Sequence, residues 1–165
     1  MKSPDTIHDD PGRTSPIGLC RYACEFMEAA LAADSKMGTR DGFEIVAPTP
    51  VLFLVGQSIE LVLKAFLLSR GVPLRSLRRD YGHNLHRLLR KAGELGLFSL
   101  VALSTEEHGA IKVLDNLYSS KQLQYMVSGS KHFPIFGPLE RATLRLLFAI
   151  GSDLGFPVKH LPSLI

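Results

Sequence analysis

Apolar positions along the chain recur at helical spacing, and five stretches carry the pattern. The first is predicted over about 16–36, with Ser15 as N-cap and Pro16 as first helical residue. Cys20, Ala23, Met27, Ala30 and Leu31 form its stripe, and Gly38 ends it. A loop follows whose Phe43, Ile45 and Val46 need somewhere to pack. Thr49-Pro50 repeats the start signal for a second helix over about 50–70, stopped by Gly71 ahead of Pro73. This helix is apolar nearly all round and is expected to be the central element. A third, over about 84–95, starts from Asn84 as N-cap. It buries Leu85, Leu88, Leu89, Ala92 and Leu95 and ends at Gly96. Ser104 and Glu107 form a capping box for a fourth helix over about 105–126. Its inward residues are Ile111, Leu114, Leu117, Tyr118 and Tyr125, and Ser119-Ser120 is its weak point. Pro138 opens a fifth over about 138–154, with Leu139, Ala142 and Leu146 on one apolar face and Leu144, Leu147 and Phe148 on another. Residues 1–15 read as a loose tail, and the chain after Gly155 as extended.

No stretch alternates as a strand does. The fold class is therefore all-α: an up-down antiparallel bundle of four to five main helices, one domain over 16–165. A length of 165 residues with 45% hydrophobic side chains fits one domain with its own core. The run Pro50–Leu68 is nearly long enough to span a bilayer, but Glu60 and Lys64 sit inside it. A core helix is expected, with no membrane. Cys20 and Cys24, one helical turn apart, read as reduced core thiols. With no apolar leader-like segment at the start, the expected location is cytoplasmic. Surplus apolar faces on the second and fifth helices suggest a homodimer.

The charge changes the picture in one place. Residues 70–91 carry a net +6, against −3 for the rest of the chain. Arg75, Arg78, Arg79, Arg87, Arg90 and Lys91 are the candidate anion or RNA surface, because clustered guanidinium groups neutralise phosphates and contact them in pairs. Solvation of a basic linker, or pairing with acids of a second subunit, accounts for the same charge.

A second group lies around the central helix. Gln57, Glu60 and Lys64 share one face, and Glu60–Lys64 has the favoured i, i+4 order. The sequence E-L-V-L-K-A-F-L from Glu60, then Gly71, then Gly82-His83-Asn84-Leu85 resembles the HEPN superfamily (higher eukaryotes and prokaryotes nucleotide-binding domain) over about 60–125. The L-R-Y ending of many members stands here as Leu123-Gln124-Tyr125. The resemblance implies a dimeric helical bundle whose functions range from metal-independent RNases to nucleotide-binding or non-catalytic modules. It adds His83, Asn84 and Tyr125 to Gln57, Glu60 and Lys64 as candidate ligand-binding residues. A partly buried ion pair and an N-cap account for Glu60–Lys64 and Asn84 without any ligand.

Catalytic members carry R-x4–6-H. Arg78-x4-His83 and Arg79-x6-His86 match that spacing, at about chance frequency and in an earlier helix than the family's motif. Arg78 and His83 are the catalytic candidates on this count. No metal spacing, phosphate-binding glycine loop or nucleophile elbow occurs, so neither metal nor cofactor is expected. The expected function is a non-catalytic nucleotide- or RNA-binding module in stress or defence. A toxin-type, metal-independent endoribonuclease and a ligand-free interaction module are the alternatives.

Overall fold

Ser15 Oγ accepts a hydrogen bond from Gly18 N–H, and the chain enters α1, Pro16–Met37, with Pro16 in its first turn. The computed structural model describes residues 7–164. Those residues contain helices and turns and no strand, so the protein is all-α. Four long helices follow α1: α2 Thr49–Ser69, α3 Leu85–Glu94, α4 Thr105–Tyr118 and α5 Phe136–Asp153. A one-turn helix, Leu74–Ser76, and a π-helical turn, Leu77–Tyr81, link α2 to α3. The caps of α3 and α4 form where sequence places them. Asn84 Oδ1 accepts from Arg87 N–H at 2.8 Å, and Ser104 and Glu107 satisfy each other's backbone N–H. Gly71 leaves α2 at φ 87°, a value glycine adopts without strain.

Three elements differ from expectation. Thr49 does not cap α2; it is already helical, and Pro48 holds the cap position without a side-chain bond. α5 begins two residues before Pro138, which sits in its first turn. α4 stops at Tyr118 instead of running to 126. Ser119 and Ser120 hydroxyls turn back onto the carbonyls of Asp115 and Asn116, and Lys121 takes φ 61° while Gln122 N–H caps Leu117 O. Side-chain competition for the last carbonyls ends the helix there. Tyr125, expected inward, is therefore in a loop and 67% exposed.

The core runs along α2, whose Val51, Val55, Ile59, Val62, Leu63 and Phe66 are wholly buried. α2 packs on α1, α3, α4 and α5, which explains an apolar surface nearly all round. It is long and apolar enough to cross a membrane by length and composition, and 67% of that window is buried in the fold. Both apolar faces of α5 are also taken up, with Leu139, Ala142, Leu144, Leu146 and Leu147 buried and Phe148 half-buried. Of the loop side chains that needed packing, Phe43 and Val46 are half-buried and Ile45 stays exposed.

α1 and α2 are antiparallel, tied by Ser58 Oγ donating to Ala23 O at 2.7 Å. α3 and α4 are antiparallel as well, with Leu85 at the start of one bonded to Asp115 near the end of the other. α5 runs in the same direction as α2. Its first residue bonds Ile45 O just before α2, and Asp153 at its end pairs with Arg70 just after α2. Alternation through all five helices would oppose α2 and α5. The long connection 119–135 carries the chain back and permits the other sense. Gly151 lets the last segment cross α5 closely, since a Cβ there would lie 2.6 Å from Val158 Cγ2. Of the expected loose tail, residues 1–6 lie outside the described residues. The remainder is tethered, Asp9 pairing with Arg78 at 2.8 Å.

Candidate functional site

Glu60 comes from the middle of α2, between Ile59 and Leu61, and only 4% of the residue is exposed. An isolated carboxylate there would cost several kcal/mol of desolvation. Three donors offset that cost. Lys64 Nζ, one turn along α2, lies 2.6 Å from Oε1. Tyr118 OH, from the end of α4, donates to Oε2 at 2.6 Å. His83 Nδ1 lies 3.0 Å from Oε2 and 3.2 Å from Oε1. An ionised carboxylate only accepts, so Nδ1 donates to it and Nε2 is the nitrogen left over. Gly82, at φ 53°, makes the turn that presents His83.

Burial is the largest influence on Glu60 and pushes its pKa up. The Lys64 charge and hydrogen bond, with the bonds from Tyr118 and His83, outweigh it and hold Glu60 below the usual range. Burial first, then the Glu60 charge and bond, drive the Tyr118 hydroxyl upward, so it stays protonated and donating. The Tyr118 ring lies against α2 at Gly56, where a Cβ would fall 2.4 Å from Cδ2. Phe53 and His83 flank the ring with centroids at 6.0 and 6.4 Å.

Of the expected ligand-binding residues, the fold brings together Glu60, Lys64 and His83. Gln57 is half-buried one turn away without a hydrogen bond to the cluster. Asn84 is engaged as the α3 cap. Tyr125 is replaced in the cluster by Tyr118, which reads in the sequence only as a core residue. The sequence signal for Tyr118 is Gly56, an interruption in an otherwise bulky helix.

Two further buried acids have tertiary roles that a sequence reading does not reach. Asp115 Oδ1 accepts from Leu85 N–H at 2.8 Å and fixes the entry to α3; burial, the largest effect, raises its pKa despite that bond. Glu107, besides closing its capping box, reaches Arg145 at 3.1 Å and Arg141 at 3.8 Å on α5. Asp115 is marked in the sequence by an acid amid the inward positions of α4. Nothing local marks the tertiary role of Glu107.

The basic segment divides into engaged and unengaged cations. Arg78 pairs with Asp9, Lys91 with Glu94, and Arg70 with Asp153 while lying over the Phe66 ring at 4.3 Å. Arg75, Arg79, Arg87 and Arg90 are exposed, and none has an acidic partner among the described residues. Arg87 lies 5.8 Å from the Tyr81 ring centroid, so the π-helical turn and the start of α3 meet at the same surface. Arg78 and His83 are thus held by different carboxylates. Among the described residues no three metal-ligating side chains converge. Cys20 and Cys24 are buried free thiols, and the bond from Cys24, with burial, raises Cys20.

Comparison with protein-family models, with curated proteins and with solved structures finds no match to the chain. The functional reading therefore rests on residues and geometry.

Proposed function

We propose that the protein is a HEPN-like nucleotide- or RNA-binding module that binds phosphates without cleaving them, acting in the cytoplasm as a homodimer. The observation that carries the binding is the set of exposed arginines 75, 79, 87 and 90 with no acidic partner among the described residues. Cations without internal partners are available to a polyanion. The non-catalytic part is supported by the engagement of Arg78 with Asp9, a carboxylate that offsets the charge cleavage would need from the guanidinium. For the dimer, one exposed apolar surface is the connection before α5. Tyr125, Met126, Val127, Phe133 and Ile135 are exposed there, with Ile45 bonded beside it.

Fluorescence anisotropy with single-stranded RNA across a salt series tests the binding. Affinity that falls with salt supports it, and no binding at about 50 mM salt refutes it. Light scattering at micromolar concentration tests the dimer.

One observation favours a second reading, the metal-independent endoribonuclease. A buried carboxylate orients His83 through Nδ1, and the ring is solvent-exposed, an arrangement suited to proton transfer at Nε2. RNA cleavage in EDTA that disappears in folded His83→Ala would select it.

A further inference from the structure

A groove between α3 and α4 lies apart from the Glu60 cluster and shares only Arg90 with the exposed arginines of the basic segment. Its volume of about 420 Å3 is that of a small-ligand site. Buried Leu89 and Ile111 form its floor. Phe98, in the turn after α3, stands at one wall and is 45% exposed. Its ring meets His108 of α4 edge to face, centroids 5.4 Å apart. Arg90 of α3 and Lys112 of α4 line the same groove, and no acid does. Among the described residues neither cation has an acidic partner.

Two helical glycines give the groove its shape. At Gly93 a Cβ would fall 2.5 Å from Phe98 Cε2, so glycine lets the ring lie against the α3 backbone. Gly109, inside α4, lines the groove and has nothing within 4 Å of its Cβ position. Glycine weakens a helix interior, and no contact within the fold requires it at Gly109. Its effect is to leave the α4 backbone open to whatever enters.

An aromatic wall, an open backbone and cations without acids fit a planar ring that carries an anion. We propose that this groove is a nucleotide subsite. The base inserts beside Phe98 and His108 over Gly109, and the phosphate lies against Arg90 and Lys112. This assignment rests on the phosphate-binding reading above and adds to it where a base is held. The nucleotide is either a free nucleoside monophosphate or an unpaired nucleotide of an RNA strand.

The test titrates the full chain with adenosine 5′-monophosphate and, separately, with an oligoadenylate RNA decamer, at about 50 mM salt. Wild type is compared with Gly109→Leu, Phe98→Ala and, outside the groove, the double change Arg75→Gln/Arg79→Gln. Gly109→Leu points into open space, so its melting temperature should not fall; Phe98→Ala carries the test should it do so. Both groove variants should weaken binding roughly tenfold, the loss expected for one base–aromatic stack. The outer double change should flatten the salt dependence of the decamer. Loss with the monophosphate assigns a free nucleotide; loss with the decamer alone assigns a strand. Binding that survives both groove variants overturns the groove and leaves the phosphate-binding reading standing. No binding of either probe to wild type overturns both.

Discussion

The Tyr118 hydroxyl donates to the Glu60 carboxylate at 2.6 Å, and the same ring occupies the space that a side chain at position 56 would need. The end of α4 is thereby fixed to the centre of α2 twice, by a hydrogen bond to a buried charge and by close packing on a glycine. Gly56→Ala should force the ring outward at a cost of about 1–3 kcal/mol, the usual penalty of overpacking. Chemical denaturation of wild type and variant measures it; an unchanged midpoint would mean the ring moves freely.

Glu60→Ala leaves Lys64 without its carboxylate in a nearly buried setting. Breaking such a pair from one side costs about 3–5 kcal/mol. Glu60→Gln keeps an acceptor and should cost less. The difference between wild type and Glu60→Gln should also depend on pH. Because the folded-state pKa of Glu60 is depressed, its stabilisation is complete above the ordinary glutamate range and is lost as pH falls through the lower folded value. Asp115 acts in the opposite sense, its raised pKa giving a contribution fullest in acid and lost as pH rises through the folded value. Asp115 is present in both proteins and cancels, so the gap should close in acid. A gap independent of pH would exclude an ionised Glu60.

Asp115 Oδ1 accepts from the first residue of α3. Asp115→Ala strands the buried Leu85 N–H and should cost about 1–3 kcal/mol, whereas Asp115→Asn keeps an acceptor without the cost of burying charge. Thermal melts of the two variants should therefore separate widely. Equal melting temperatures would assign the effect to the charge instead of the hydrogen bond.

The linker arginines should show themselves through salt. Each phosphate neutralised on single-stranded RNA contributes about 0.7 to the log–log slope of affinity against salt. Arg87→Gln/Arg90→Gln should flatten the slope by one to two such increments. The same slope in wild type and double variant would leave these side chains as solvated surface.

The elements were readable because their signals are local. Ser15-Pro16, Asn84 and the Ser104/Glu107 box mark helix starts by side chains that satisfy nearby amides, and Leu85, Leu88, Leu89 and Ala92 keep helical period. The end of α4 was harder, since the apolar pattern continues to Tyr125 while Ser119 and Ser120 compete for its carbonyls. Of the site, Glu60 and Lys64 share a helix and His83 sits at a marked turn, so they could be named as candidates. Their partner could not. Tyr118 lies 58 residues from Glu60, and an inward tyrosine has the same local pattern as any core aromatic. The direction of α5 was equally hidden, because a connection as long as 119–135 can return the chain to either end of the bundle.

That connection also sets the order in which the chain can assemble. α1 and α2 meet through a short loop and make the most extensive pairing, so their docking closes little chain and can come early. The junction of Arg70 with Asp153 spans 83 residues and needs the whole return path in place. Contacts of such separation slow folding, and those absent from the rate-limiting ensemble govern unfolding instead. Removing Asp153 should therefore speed unfolding and leave refolding nearly untouched, whereas Ser58→Ala at the α1–α2 contact should slow refolding. On that order the Arg70–Asp153 junction is, in kinetic terms, a latch that closes late.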